Sequence, residues 1–283
     1  MPLSARPRRL GVFATVSALA TVSALLVALT ACSGSSNGDG DLNLVHQGRL
    51  TFATSAPMDT PWFADGQPTN GRGFESALAY ALAAKLGFSA DQVRWTTVSR
   101  NDALAAGKKN FDIDIDHVAM SPQLRENVDQ SAGYYTVPQT VVALRTSRIA
   151  QVTTLAGLRD AKLGVPATGN GQATITKLIA PVQEPAVFTD TNEAAEALEN
   201  GPIDGIVVDF VTAFALTHTL PNAFILGQFF GAEPVDQLGM VFEKGNPLAQ
   251  SVNDALARLR ESGDLLRIAG QWLGAEAGAP ALQ

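Results

Sequence analysis

The sequence predicts an α/β protein with mainly parallel sheets, and three observations carry that expectation. Short apolar runs bounded by turn residues alternate with stretches whose apolar residues recur at helical spacing. The single cysteine, Cys32, excludes an internal disulfide, so stability must come from a buried core. The chain beyond residue 31 is also long enough for one large domain or for two lobes of about 100 to 150 residues each.

Taken in order, "GRLTFATSA" reads as an apolar strand that runs into the Pro-broken loop "PMDTPWFADGQPTNGRG", where Asn70-Gly71 signals a turn. "GFESALAYALAAKLGF" reads as a helix. Phe74, Leu78, Ala81, Leu82 and Leu86 fall three and four apart, and Gly87 stands where a helix end favours a left-handed residue. "VRWTTV", "FDIDI", "TVVALR", "KLGVPA", "GIVVDF" and "LGMVFEK" are strand-like. Between them lie helical stretches such as "TNEAAEALENG" and "NPLAQSVNDALARLRESG". Within "FDIDID", Asp112, Asp114 and Asp116 alternate with Phe111, Ile113 and Ile115. Three like charges on one strand face repel unless water or a cation lies against them, so Asp112 and Asp114 are expected to form a solvated face.

The N-terminus has the layout of a secretory signal peptide: Arg6, Arg8 and Arg9 precede an apolar run that ends in Leu29-Thr30-Ala31-Cys32. "LTAC" resembles the lipobox of bacterial lipoproteins, which implies removal of residues 1–31 and a lipid on Cys32. Residues 32–44, rich in Ser, Gly, Asn and Asp, then read as a flexible tether. Cleavage would leave 17 basic against 27 acidic side chains, a net charge of −10. A surface of that sign argues against nucleic acid, and against anionic lipid except through an anchor.

Catalytic signatures are thin. The chain carries no G-x-S-x-G elbow, P-loop or H-E-x-x-H, and "GNG" at 169–171 lacks the further glycines of a dinucleotide site. His46, His117 and His218 are too scattered to form a metal cluster by spacing, so no metal and no cofactor are expected.

Read in sequence, "GRLTFATSAPMDTPWF", "GRGFESALAYALAAKLGF", "FDIDIDHVAMSP", "VDQSAGYY", "LAGLRDAKLGV", "FTDTNEAAEAL", "IDGIVVDFVTAF", "LGMVFEKGNPLAQSVNDAL" and "LRIAGQWLG" resemble the family 3 solute-binding proteins, which capture polar amino acids for ABC importers. The resemblance implies the two-lobe type II periplasmic-binding-protein fold, with a ligand cleft between lobes joined by two hinge strands. Lobe 1 is then expected over 45–136 plus 240–283, and lobe 2 over 137–239. It further implies a non-enzymatic, monomeric extracytoplasmic lipoprotein that works with permease and ATPase subunits. Two rivals share the fold: a cleft enzyme of dehydratase type, in which Asp59, Asp116 and His117 would form an acid/base set, and a sensory binder for a membrane receptor.

Carried over residue by residue, the resemblance assigns Asp209, at the end of "GIVVDF", to the ligand's ammonium, and backbone donors near Thr168, Gly169, Asn170 and Gly171 to its oxygens. Where the family carries Thr-Pro-Glu-Arg, this chain has Ser121-Pro122-Gln123-Leu124. Leu124 thus replaces the carboxylate-gripping Arg unless Arg125 serves through a shift of one residue. Asp59 takes the place of a covering aromatic, with Trp62 nearby as an apolar wall, and Ala119 stands where a hydroxyl often sits. Asp116 is expected at the ligand. His117 beside it is either a packed structural residue or a second contact. Asp59, Asp116 and Asp209 together imply a pocket of buried carboxylates with no obvious cation, suited to an amino-bearing or cationic solute.

Overall fold

The computed structural model describes residues 42–168, 171–230, 236–275 and 278–282. The expected signal peptide, the lipidation point Cys32 and Asn170 lie outside them. Of the expected tether only 42–44 is described, and there Leu42 and Leu44 already pack against the core.

Twelve strands are described. The first three are β1 (Leu50–Thr54), β2 (Val93–Thr97) and β3 (Ile113–Asp114). β4 (Asp129–Gln130), β5 (Tyr135–Thr136), β6 (Gln139–Leu144), β7 (Leu163–Pro166), β8 (Ala186–Phe188) and β9 (Gly205–Asp209) follow. Last come β10 (Ala223–Phe229), β11 (Gln237–Leu238) and β12 (Val241–Phe242). They form two five-stranded sheets, ordered β2-β1-β3-β12-β4 and β10-β6-β9-β7-β8, one in each lobe. Between the lobes, β5 and β11 pair antiparallel as a two-stranded ribbon where the chain crosses over and returns.

Both sheets are mixed rather than mainly parallel. β1 runs parallel to β2 and β3, and β7 to β8 and β9, because these strands are separated by connections long enough for a crossover. β12 re-enters the first sheet directly from the ribbon and therefore lies antiparallel to β3 and β4. In the same way β6, entering the second sheet, lies antiparallel to β9 and β10.

The helices that position the site have local causes. Helix α1 (Phe74–Lys85) ends in a left-handed Gly87 at φ +92°, with Phe88 N–H bonded to Ala83 C=O at 2.9 Å and Gly87 N–H to Ala84 C=O at 3.2 Å. At its start Gly73 has φ +97°, and a Cβ there would lie 2.7 Å from Phe63 Cα, so only glycine lets the Trp62–Phe63 backbone pack on this helix. Helix α2 (Arg100–Leu104) is capped by Ser99, which accepts from Asp102 N–H at 3.1 Å. In α3 (Leu124–Asn127), Leu124 packs against Val118, Val128 and Val241. After α4 (Gly171–Thr174), α5 (Thr191–Asn200) begins at a capping Asp190. Asp209 caps α6 (Phe210–Thr219), and α7 (Leu248–Glu261) buries Val252, Ala255, Leu256 and Leu259 on one face.

One expectation is overturned here. Asp112 and Asp114 do not form a solvated face: they are 0% and 1% exposed. Every residue from Phe111 to Asp116 is buried, so both faces of β3 are covered and alternation there does not separate core from solvent. Asp112 is satisfied by backbone donors, with Oδ1 accepting from Val45 N–H and Oδ2 from Thr51 N–H, each at 2.7 Å. Among the described residues Asp114 has no hydrogen-bond partner for either oxygen. Burial, with the charges of Asp116 and Glu75 behind it, holds the Asp114 carboxyl well above the usual range against the opposing pull of Arg100 and Lys109.

Candidate functional site

The segment after β1 carries Trp62 across the seam between the lobes. Its backbone is fixed to α1, with Trp62 C=O accepting from Glu75 N–H at 3.1 Å. The indole is 4% exposed and meets Phe74 and Phe210 edge-on, each at 6.1 Å between ring centres. It stacks on His117 at 5.1 Å with 24° between planes. Trp62 therefore belongs to the core as much as to a wall.

A cavity of about 360 Å³ opens beside this stack. Ser55, Asp59, Trp62 and His117 form one wall, and Val211, Phe214, Ala215 and His218 of α6 form the other. A second recess of about 90 Å³ lies at the ends of β7 and β9, walled by Gln139, Thr168, Thr191, Asp209, Thr212 and Asp236. Asp209 is half-buried there and caps α6, with Oδ1 accepting from Thr212 N–H at 3.0 Å and Oδ2 from Thr212 Oγ1 at 2.6 Å. Gly171 also borders this recess.

The anticipated trio of buried, unpartnered carboxylates is corrected on two points. Asp59 is exposed, Asp209 is half-buried, and only Asp116, at 2% exposure, is buried. Asp116 is also paired. Its Oδ2 accepts from Ser55 Oγ at 2.8 Å and from Arg100 Nη1 at 3.1 Å, and its Oδ1 from Thr54 Oγ1 at 3.4 Å. The same guanidinium donates to the main-chain oxygens of Asp116, at 2.8 Å, and His117, at 3.3 Å. Arg100 is thus a cation beside the cleft that sequence reasoning missed, because nothing local in "SRNDAL" marks it as the partner of an acid sixteen residues on. Arg125 lies on exposed α3, where its carbonyl accepts from Lys244 Nζ at 2.6 Å, and it lines neither cavity.

Glu75 is the second omission. It is 0% exposed, and its Oε1 accepts from His117 N–H at 2.6 Å and from Tyr134 Oη. In sequence an acid in the first turn of a helix reads only as favourable to the helix dipole. His117 is packed and also borders the cavity. Its backbone anchors the buried network while its ring walls the cavity. Its Nδ1 lies 3.8 Å from Glu75 Oε2 and 3.8 Å from Asp116 Oδ1. Burial lowers the imidazole's proton affinity, but Glu75 and Asp116 together outweigh it and hold the pKa above the ordinary value. Among the described residues no group of three or more metal-ligating side chains is placed to hold a metal ion.

A family profile described as bacterial extracellular solute-binding proteins, family 3, matches residues 50–275. The L-cystine-binding protein TcyJ of Escherichia coli (strain K12) is 26% identical over 244 residues, covering 84% of this chain and 88% of the relative. The arginine-binding extracellular protein ArtP of Bacillus subtilis (strain 168) is 24% identical over 265 residues, covering 91% and 97%. Among solved structures, an ancestral cyclohexadienyl dehydratase superposes with a TM-score of 0.54 at 20% identity, over 80% of this chain and 92% of that one. That likeness concerns the fold alone.

Proposed function

Because this chain belongs to the bacterial extracellular solute-binding proteins, family 3, we propose that it captures an amino acid or another amino-bearing solute between its lobes and presents it to an ABC importer. The observation that carries the reading is the cavity itself, walled from one lobe by Asp59, Trp62 and His117 and from the other by α6. A solute held by both walls stabilises the closed arrangement without covalent chemistry, which is what reversible capture requires. Asp209 receives the ammonium in the adjoining recess, with Asp236 close by, and Trp62 supplies an apolar and cation–π surface. Among the described residues no Lys or Arg lines either cavity, which favours amines and cationic solutes. The named relatives that bind L-cystine and arginine support an amino-acid ligand. Lipid attachment at Cys32 would hold the protein beside permease and ATPase subunits.

The dehydratase alternative is less well served by this geometry. Asp116 would have to act as a general acid or base, yet Arg100, Ser55 and Thr54 already occupy its oxygens. The test is a thermal-shift screen with L-arginine, L-cystine, L-glutamine and putrescine, followed by calorimetry and small-angle scattering. A solute at a hundred times its Kd adds about 2.7 kcal/mol of stability. At roughly 2–4 °C per kcal/mol for a chain of this size, that is a rise of about 5–10 °C in Tm. Binding without compaction contradicts lobe closure, and conversion of the solute favours the enzyme.

A further inference from the structure

His117 occupies an unusual position. Its φ of +39° lies in the left-handed region, which costs a non-glycine residue energy and persists only where the surroundings enforce it. Here they do: Glu75 Oε1 accepts its N–H, and Arg100 donates to its C=O. The ring is pinned on Trp62. As a result Nδ1 is buried without a hydrogen-bond partner among the described residues, and it faces Glu75 Oε2, likewise buried and unpartnered among them, across 3.8 Å. A neutral ring with its hydrogen on Nε2 leaves two facing acceptors, an arrangement that buried polar groups rarely keep. A hydrogen on Nδ1 turns the same contact into an attraction, and the second carboxylate, Asp116 Oδ1, also at 3.8 Å, favours the doubly protonated ring over the neutral Nδ1–H form.

We propose that His117 supplies the positive charge of the solute cavity: as an imidazolium with Nδ1–H toward Glu75 and Asp116, it offers Nε2–H to an oxygen of a carboxylate-bearing solute, and capture takes up a proton. The proposal rests on the solute-capture reading and narrows it to solutes that carry an acceptor as well as an amine. Every element packed around the ring bears on its charge. α1 contributes Glu75 and the segment leading to His117 contributes Asp116, while Asp114 on β3 is itself raised by burial and by these two charges. Tyr134 donates to Glu75 without adding charge, and Asp59 stands on the cavity side. Arg100 opposes from α2, and His218 faces the cavity from α6. Carboxylates outnumber cations in this set.

The test has two arms. In the first, the His117 ring is titrated by NMR in the free protein from pH 5 to 9, with and without Glu75→Gln. The wild-type ring is expected to titrate above the ordinary histidine range and to move back toward it in the variant. In the second, L-arginine and L-glutamine binding is measured by calorimetry in buffers of different ionisation enthalpy. At pH values near and above the His117 titration of the free protein the expected result is net proton uptake, with affinity falling about tenfold per pH unit above that titration. His117→Asn, which tolerates the left-handed backbone and does not titrate, should flatten that profile. Binding with no proton uptake, or with the same pH profile in His117→Asn, overturns the proton link and leaves the capture reading standing. If none of L-arginine, L-glutamine, L-cystine and putrescine binds at any pH while His117 titrates as expected, the capture reading falls and the donor role with it.

Discussion

Asp209 is placed to do two jobs, and substitutions can separate them. As the cap of α6 its Oδ1 and Oδ2 hold Thr212 N–H and Oγ1 at 3.0 and 2.6 Å, and as a carboxylate bordering the small recess it is assigned to the solute's ammonium. Asn caps a helix about as well as Asp, whereas Ala forfeits about 1 kcal/mol. In a chain of this length that loss lowers Tm by about 2–4 °C. A charge-assisted hydrogen bond contributes about 1.5–3 kcal/mol, and because Asp209 is only half-buried the lower end applies, or about tenfold in affinity. Asp209→Asn should therefore melt with the wild type but bind an amine about tenfold more weakly. Asp209→Ala should lose both. Scanning calorimetry and isothermal titration with L-arginine read the two effects independently. If Asp209→Asn binds L-arginine as tightly as the wild type, Asp209 is a helix cap and nothing more; if Asp209→Ala keeps its Tm, the capping argument is wrong.

Other outcomes follow from the same geometry. Asp114 has a folded-state pKa raised by burial, so its contribution to stability is present below the unfolded carboxylate value of about 3.9 and is lost as pH rises through the folded value. Asp114→Asn should accordingly gain on the wild type in Tm from about pH 4 upward, and a constant difference across pH 4–8 would contradict this. Arg100→Gln uncovers the charge of Asp116 and should raise the affinity ratio of L-arginine over L-glutamate several-fold in calorimetry, at some cost in Tm; an unchanged ratio would show that Asp116 is silent toward the solute. Cys32→Ala should move the protein from the membrane fraction to the soluble fraction, and a variant that still fractionates as a processed, acylated protein removes the anchoring proposal.

Elements with a clean period and a marked end were readable from sequence. α1 was, with its spaced Leu and Phe residues and Gly87, as were α7 and the strands β1, β2 and β9. The stretch from Phe210 to Phe230 was not. Its polar residues are few and unevenly spaced, so neither the helical nor the alternating period stands out, and it folds as α6 followed by β10, broken near Pro221. The site was half legible. Trp62, His117 and Asp209, singled out by resemblance, line the two cavities, but Glu75 and Arg100, which reach His117 and Asp116 from separate helices, had no such signal. Buried pairing between distant elements leaves no local pattern. Asp112 and Asp114 misled for a related reason: an acid on an inner strand has the same sequence signature as an acid on a solvated one.

The placement of β12 has a consequence for how the chain matures. Val241 and Phe242 lie between β3 and β4, and α7 packs against α1, so the first sheet is divided until residues from far along the chain arrive. All five strands of the second sheet, by contrast, come from one continuous stretch between Gln139 and Phe229. A chain that emerges from its N-terminus can therefore finish the later sheet first, while the earlier one waits with β3 and its buried acids uncovered. Loss of the segment after Leu238 would leave β3 and β4 as separate edges, open to pairing with another molecule.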